Sequence, residues 1–282
     1  MLKADAHCAD LVRDQDHDRY LTVLYAPEAA RAGLFALYAF NVELARVREQ
    51  VSQPMLGDIR LTWWREGLDT AYGGAPRQHP VLEAISAHVV TAGVPRALLE
   101  ECIEARLTDV YGEQPSSLKE LRAYADLSGG ALAEAALWVC LGHAPDAVLT
   151  QAVRCVGQAW TLVGVIRAIG FHAAMQRVML PADELLKAGL EPESLYQGEI
   201  SPEIIDVVRT VHRTATETLA AARPVLRRAP PRARAAWLLA PLAQDYLNRI
   251  RAADFDLRNA PLEKGVMARQ VRLFWSAMTG RA

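Results

Sequence analysis

Two segments of this 282-residue chain place polar residues on otherwise apolar helical faces. The first is 34–51, LFALYAFNVELARVREQV. One turn beyond Tyr38, Asn41 lies among apolar neighbours, and Glu43, Arg46 and Glu49 follow at three-residue steps. That step brings side chains together on a helix, so these charges can form a ladder of ion pairs. The second is 153–181, VRCVGQAWTLVGVIRAIGFHAAMQRVMLP, which holds Arg154, Gln158, Arg167, His172 and Arg177. No Asp or Glu occurs anywhere from Ala147 to Ala182. An arginine inside VGVIRAIGF is costly to bury unless it is paired or hydrogen-bonded. Arg167 is therefore expected at a cavity wall, against a carboxylate from another helix, or at an anion. His172 is read as a satisfied polar side chain or a cavity contact. The four cysteines are scattered, with no CxxC pair and no histidine at ligand spacing, so no metal site is expected from them.

The elements that must carry these residues are helices. Breakers recur at Pro27, Pro54 with Gly57, Gly73 to Pro76, Gly93 with Pro95, and Gly112 to Pro115. Others follow at Gly142 to Pro145, Pro181, Pro202, and Pro230 with Pro231. Between them Ala, Leu, Arg and Glu dominate, the strong helix formers. Leu34, Leu37, Tyr38, Val42 and Ala45 recur at helical steps, as do Leu118, Leu121, Tyr124, Ala125 and Leu132. Asp146, Ser116 and Ser117 are candidate N-caps. Alternating strand patterns and tight hairpin turns are absent. The reading is all-α, with about ten helices of roughly 12 to 26 residues in one domain spanning 1–282.

Composition narrows the function classes. Thirty-one basic and 33 acidic residues leave a net charge of −2, so no global field recruits nucleic acid. Unpaired cysteines fit reduced thiols in a cytosolic-type compartment. The first sixteen residues lack the apolar core of a signal peptide, and the longest apolar stretch, 155–171, is too short and too polar to span a bilayer. A soluble chain is expected, with peripheral membrane contact left open. Residues 223–234 carry five arginines and no acid. They fit either a solvated turn or a patch that docks on anionic lipid.

Four blocks in order then resemble the squalene/phytoene synthase family: APEAARAGLFALYAFNVELARV (26–47), YGGAPRQHPVLEAI (72–85), Tyr124 with Ser128 to Gly130, and GQAWTLVGVIRAIGFHAAMQRVMLP (157–181). The resemblance runs from about residue 16 to 274. It implies an isoprenoid-synthase (terpenoid synthase) helical bundle around a central cavity. Tyr38, Phe40, Trp160 and Phe171 would line a greasy interior, and aromatics at helical spacing are more often core than a ligand box. In such synthases each signature helix carries aspartates that hold magnesium, and magnesium binds the diphosphate of the prenyl substrate.

Here those positions differ. The first aspartate pair falls on Ala45 and Arg46, with an acid kept only at Glu49. In the second motif Arg167 is retained, but the aspartates become Ala168 and His172. Glu43 and Glu49 lie about 240° apart around a helix and cannot form one ligand face. An acid such as Asp109 or Asp126 could restore one site but not two. The losses resemble a non-canonical branch of the family that serves respiratory complex I assembly. That resemblance implies a non-catalytic chain without cofactor, whose partner is a complex I subunit or assembly intermediate. It implies the cytoplasm, with possible contact at the inner membrane, in a bacterium, and the mitochondrial matrix in a eukaryote. The alternatives are a prenyltransferase with altered metal use, which would need Mg²⁺, and an isoprenoid- or lipid-binding protein. The cavity candidates are Tyr38, Asn41, Arg46, Glu49, Gln158, Arg167 and His172.

Overall fold

The computed structural model describes residues 3–197, 201–257 and 266–280, and these contain helices and no strand. The chain opens with α1 (Lys3–Gln15), α2 (His17–Val23), α3 (Glu28–Arg46), α4 (Pro54–Tyr72) and α5 (Pro80–Ala84). Next come α6 (Arg96–Tyr111), α7 (Leu118–Ala125), α8 (Ala131–Leu141), α9 (Ala147–Arg167) and α10 (Ile169–Ala174). The last are α11 (Ala182–Lys187), α12 (Pro202–Leu226), α13 (Arg234–Trp237), α14 (Leu239–Ala252) and α15 (Val266–Thr279). The sequence leads one to expect fewer and longer helices. The difference lies in internal breaks that carry no proline. One-turn π segments at Ile85–Val90 and Asp126–Gly130 interrupt otherwise continuous helices, and Ala168 leaves helical geometry at φ −91° and ψ 5°.

The capping chemistry follows side-chain type. Asp146 accepts from Leu149 N–H at 2.9 Å and Ser117 from Glu120 N–H at 3.3 Å. Ser116 is not a cap; its own backbone N–H donates to Glu120 Oε2 at 2.7 Å. Each bond satisfies an end group that the helix cannot pair internally.

Buried apolar residues from Ala4 to Ala277 form one contiguous core. Its axis is α9, packed against α12, α14, α8 and the 126–130 segment. Gly157 of α9 meets Gly129 of the π segment backbone to backbone. A Cβ on either would collide with the other's carbonyl group. The absence of side chains is what lets the two helices approach so closely.

A charge cluster fixes the same crossing. Arg154 of α9 donates to both oxygens of Asp126 at 2.9 and 2.8 Å, to Glu134 of α8 at 2.8 Å and to Glu101 of α6 at 2.8 Å. Gln158, one turn on, also donates to Asp126, at 2.8 Å. Burial works against charge on Arg154, but its three carboxylate partners raise its pKa above the ordinary guanidinium value.

Gly157→Ala should destabilise the protein by roughly 3 kcal/mol, the upper end of overpacking costs. Gly164→Ala, whose Cβ meets nothing within 4 Å, should be neutral or stabilising by about 0.5–1 kcal/mol. Urea denaturation would contradict this packing if the two variants had equal midpoints. Arg154→Met should cost about 2–4 kcal/mol, because it strands three carboxylates of which two keep partial solvent access. A midpoint equal to wild type would remove the cluster from the account.

Candidate functional site

A cavity of about 280 Å³ opens between α3, α6, α7, the 126–130 segment, α9 and α10. Its lining mixes apolar side chains, among them Ala45, Trp160, Val165, Phe171, Met175 and Met179, with polar ones whose charged members are Arg19, Arg48, Glu49, Arg106, Asp109 and Arg177. Four arginines thus stand against two carboxylates.

Asp109 organises the polar side chains. Its Oδ2 accepts from Arg106 Nη1 at 2.9 Å and its Oδ1 from Arg177 Nη2 at 3.1 Å. Tyr124 Oη donates to the same carboxylate at 3.1 Å. Arg106 reaches further, donating to Asn41 Oδ1 at 3.1 Å. Side chains of Arg106, Asp109 and Arg177 are 14%, 13% and 11% exposed, so the group is nearly dry. Burial opposes charge on Arg106, yet Tyr124 and Asp109 raise its pKa above the ordinary value. Burial raises Tyr124, with Asp109 adding to the effect.

Local backbone geometry aims these groups. Arg106 occupies the core-facing stripe of α6 that also holds Leu99, Cys102, Ile103 and Val110, and Asp109 stands three residues on. After α10, Gln176 adopts a left-handed φ of 53° and the Arg177 N–H closes the turn on His172 O at 2.9 Å. A non-glycine residue in that region costs about 1–2 kcal/mol. The reversal carries Arg177 back to Asp109. Burial, and then Arg177 beside it, lower the pKa of His172, whose Nδ1 has no hydrogen-bond partner among the described residues.

The residues singled out from sequence are only partly brought together. Asn41, Glu49 and His172 line the cavity. Tyr38 does not; it is 3% exposed in the core, with the Arg19 guanidinium 5.6 Å from its ring centre. Phe40 is also core, edge-on to Trp64. Gln158 serves the Arg154 cluster. Arg46 is half-buried at the end of α3 and outside the lining, and Glu49 stands on a separate 3₁₀ turn, Arg48–Gln50. No Glu43–Arg46–Glu49 ladder forms among the described residues.

Arg167 corrects the expectation most. It is neither buried nor at the cavity: it ends α9, is exposed, and lies flat on Tyr246 with its guanidinium 3.9 Å from the ring centre. Solvent and the aromatic face hydrate and stabilise it there, and the helix C-terminus favours its charge. Of the cavity's four arginines, Arg177 alone was named from sequence, and Arg19, Arg48 and Arg106 were not. For Arg106 a signal existed, a charge inside an apolar stripe with an acid at i+3.

The basic segment 223–234 is largely engaged. Arg223 donates to Gln244 at 2.5 Å, Arg232 to His143 at 3.0 Å and Arg234 to Ala277 O at 2.5 Å. Among the described residues, no helix is long and apolar enough to cross a membrane.

The residues present do not fit the magnesium that the synthase resemblance implies. Magnesium requires near-octahedral oxygen ligation, usually through carboxylates together with substrate phosphates. The cavity offers Glu49 at its rim and Asp109, whose oxygens are already held by two guanidinium groups and a phenol. No group of three or more His, Cys, Asp or Glu side chains among the described residues is placed to hold a metal ion.

Acid should weaken the fold through His172. Its pKa is lowered in the folded state, so the unfolded chain binds the proton more readily. The stability is complete above the ordinary imidazole value of about 6.5 and falls as pH drops below it. Burial also lowers His79 and His212, so His172→Gln should reduce the slope of stability against pH without abolishing it. Denaturation midpoints between pH 7.5 and 5 test this, and an unchanged slope in the variant contradicts it.

Comparison with known proteins agrees with this architecture. The sequence matches the squalene/phytoene synthase pattern over residues 12–278. It is 30% identical over 260 residues to the Bos taurus "NADH dehydrogenase (ubiquinone) complex I, assembly factor 6", covering 92% of this chain and 78% of that one. A phytoene synthase of Cereibacter sphaeroides is 28% identical over 218 residues, covering 73% of this chain and 59% of that one. A ligand-bound dehydrosqualene synthase structure superposes with a TM-score of 0.84 at 18% identity, over 98% of this chain and 96% of that one. On the family pattern, and with a fold shared over nearly its whole length, the chain belongs to the squalene/phytoene synthase family.

Proposed function

We propose that this chain is a non-catalytic member of its family, forms a single domain and acts in the assembly of respiratory complex I. The observation that carries the reading is the charge of the cavity. Prenyl-diphosphate condensation needs metal-binding carboxylates around the leaving group, and this cavity presents arginines, with Ala45, Ala168 and His172 at positions read as former aspartates. Relatives aligned over nine-tenths of the chain bear the assembly-factor name in cattle, mouse and human, which supports the choice of complex.

An assembly factor needs surface to offer a partner, here a complex I subunit or intermediate. Among the described residues, two apolar stripes at helical spacing are exposed. One is Met267, Val271, Phe274, Trp275 and Met278 on α15; the other is Met55, Ile59 and Trp63 on α4. Exposed apolar area of this kind marks interaction surfaces. The reading places the protein at the face of the energy-conserving membrane where complex I is built.

Two measurements test it. Deleting the gene should lower assembled complex I severalfold on native gels and in NADH:quinone activity, with recovery on re-expression. Unchanged complex I removes the assembly role. Purified protein given Mg²⁺ and farnesyl or geranylgeranyl diphosphate should yield no condensed product by mass spectrometry. Turnover removes the non-catalytic claim.

A further inference from the structure

We infer that α15 is an interfacial helix whose exposed apolar stripe seats the chain on an anionic lipid bilayer. The inference deepens the membrane-face placement given above but does not depend on which complex the chain serves. Met267, Val271, Phe274, Trp275 and Met278 are between 54% and 74% exposed. At helical spacing they share an arc of about 100°. The opposite side of the helix is the one the protein holds. Leu273, Ser276 and Ala277 are buried there, and α15 packs against α14 and α2. Arg269 pairs with buried Asp18 at 2.9 Å, and Arg272 with Asp245 at 2.8 Å. The usual arrangement of a surface helix, apolar inward and charged outward, is thus reversed. Rolling the stripe inward would bury Trp275 but break both ion pairs and leave Asp18 without its cation, so the charges hold the stripe outward. An apolar patch fixed toward solvent calls for a cover.

The surroundings of α15 point to lipid as that cover. The helix carries Trp and Phe on one face, two arginines and no acid. That is the pattern of a helix lying in the headgroup region, with its rings at the boundary of acyl chain and water. The contacts leading away from α15 meet more cation than acid. Asp245 is shared between Arg272 and Arg249. Asp18 accepts from Tyr246 as well as Arg269, and the exposed Arg167 lies on the ring of that tyrosine. Arg234 donates to Ala277 O and joins the acid-free segment 223–234 to the last turn of α15. These five arginines stand against two carboxylates in a chain whose net charge is −2. The positive excess is local to the stripe, where it complements anionic headgroups. The other exposed stripe, on α4, shares its helix with Asp58, Arg60, Arg65 and Glu66. That mixed face is left for the protein partner.

Co-flotation of the full chain with vesicles tests the inference. Binding should be at least about tenfold tighter to phosphatidylcholine mixed with phosphatidylglycerol than to phosphatidylcholine alone, and should weaken as salt is raised. Phe274→Ser combined with Trp275→Ser should lower it about tenfold or more. Met267→Gln with Met278→Gln, at the two ends of the stripe, should lower it as well. All four side chains are exposed, so thermal melts of both variants should match the wild type. Binding to neither vesicle, equal binding to both, or wild-type affinity in the folded variants would overturn the inference. A chain that binds no vesicle but forms a dimer dissolved by the Phe274→Ser, Trp275→Ser change would give the stripe to a second copy instead. Loss of complex I on gene deletion without vesicle binding would sink the lipid surface alone and leave the assembly role standing.

Discussion

Asp109 holds two guanidinium groups at once, and the character of the cavity depends on that unequal share. Arg106 enters from α6 and Arg177 from the turn after α10, so the carboxylate ties together two elements far apart in the chain. Tyr124 closes the group from α7. With its oxygens occupied, Asp109 is not a metal ligand in waiting; it is the counter-ion of a cationic wall. Removing it would strand two buried arginines, which is why this acid is structurally required.

The wall can exist because the surrounding helices are broken in particular places. The π turn at Asp126–Gly130 lets Asp126 face Arg154 while Gly129 lies against Gly157. π turns inside helices are often found at functional sites, and this one borders the cavity through Ser128 and Gly129. At the other end of α9, the departure from helix at Ala168 and the left-handed Gln176 turn the chain back on itself. Without that reversal Arg177 would follow α9 toward solvent, as Arg167 does. Packing of small residues and local strain thus set the electrostatics of the site.

Much of the fold was legible in the sequence, and less of the site. Periodicity and breakers identify helices because burial selects one face and turns select Gly and Pro. They do not reveal π turns, whose residues remain helical in type, so 118–141 reads as one uninterrupted helix. Asn41 and His172 could be assigned to the cavity because each is a polar residue on an apolar face of a signature segment. Arg167 shows the opposite case. One apolar run of sequence can be exposed at its last residue when the helix ends there, and Tyr246, 79 positions away, supplies the face that receives it. Arg106 pairs with Asn41 across 65 positions, a contact that local pattern cannot encode. The family resemblance located the cavity but named metal-site positions, whereas the charges that matter lie one helix away.

We propose that this synthase-like cavity, lined by four arginines and two carboxylates, takes up no divalent metal. Electron paramagnetic resonance of Mn²⁺, titrated into the protein with and without inorganic diphosphate, tests it most directly. The account predicts that the protein leaves the spectrum of free or diphosphate-bound Mn²⁺ unchanged. A stoichiometric protein-bound Mn²⁺ signal that Asp109→Asn abolishes in a folded variant would contradict it.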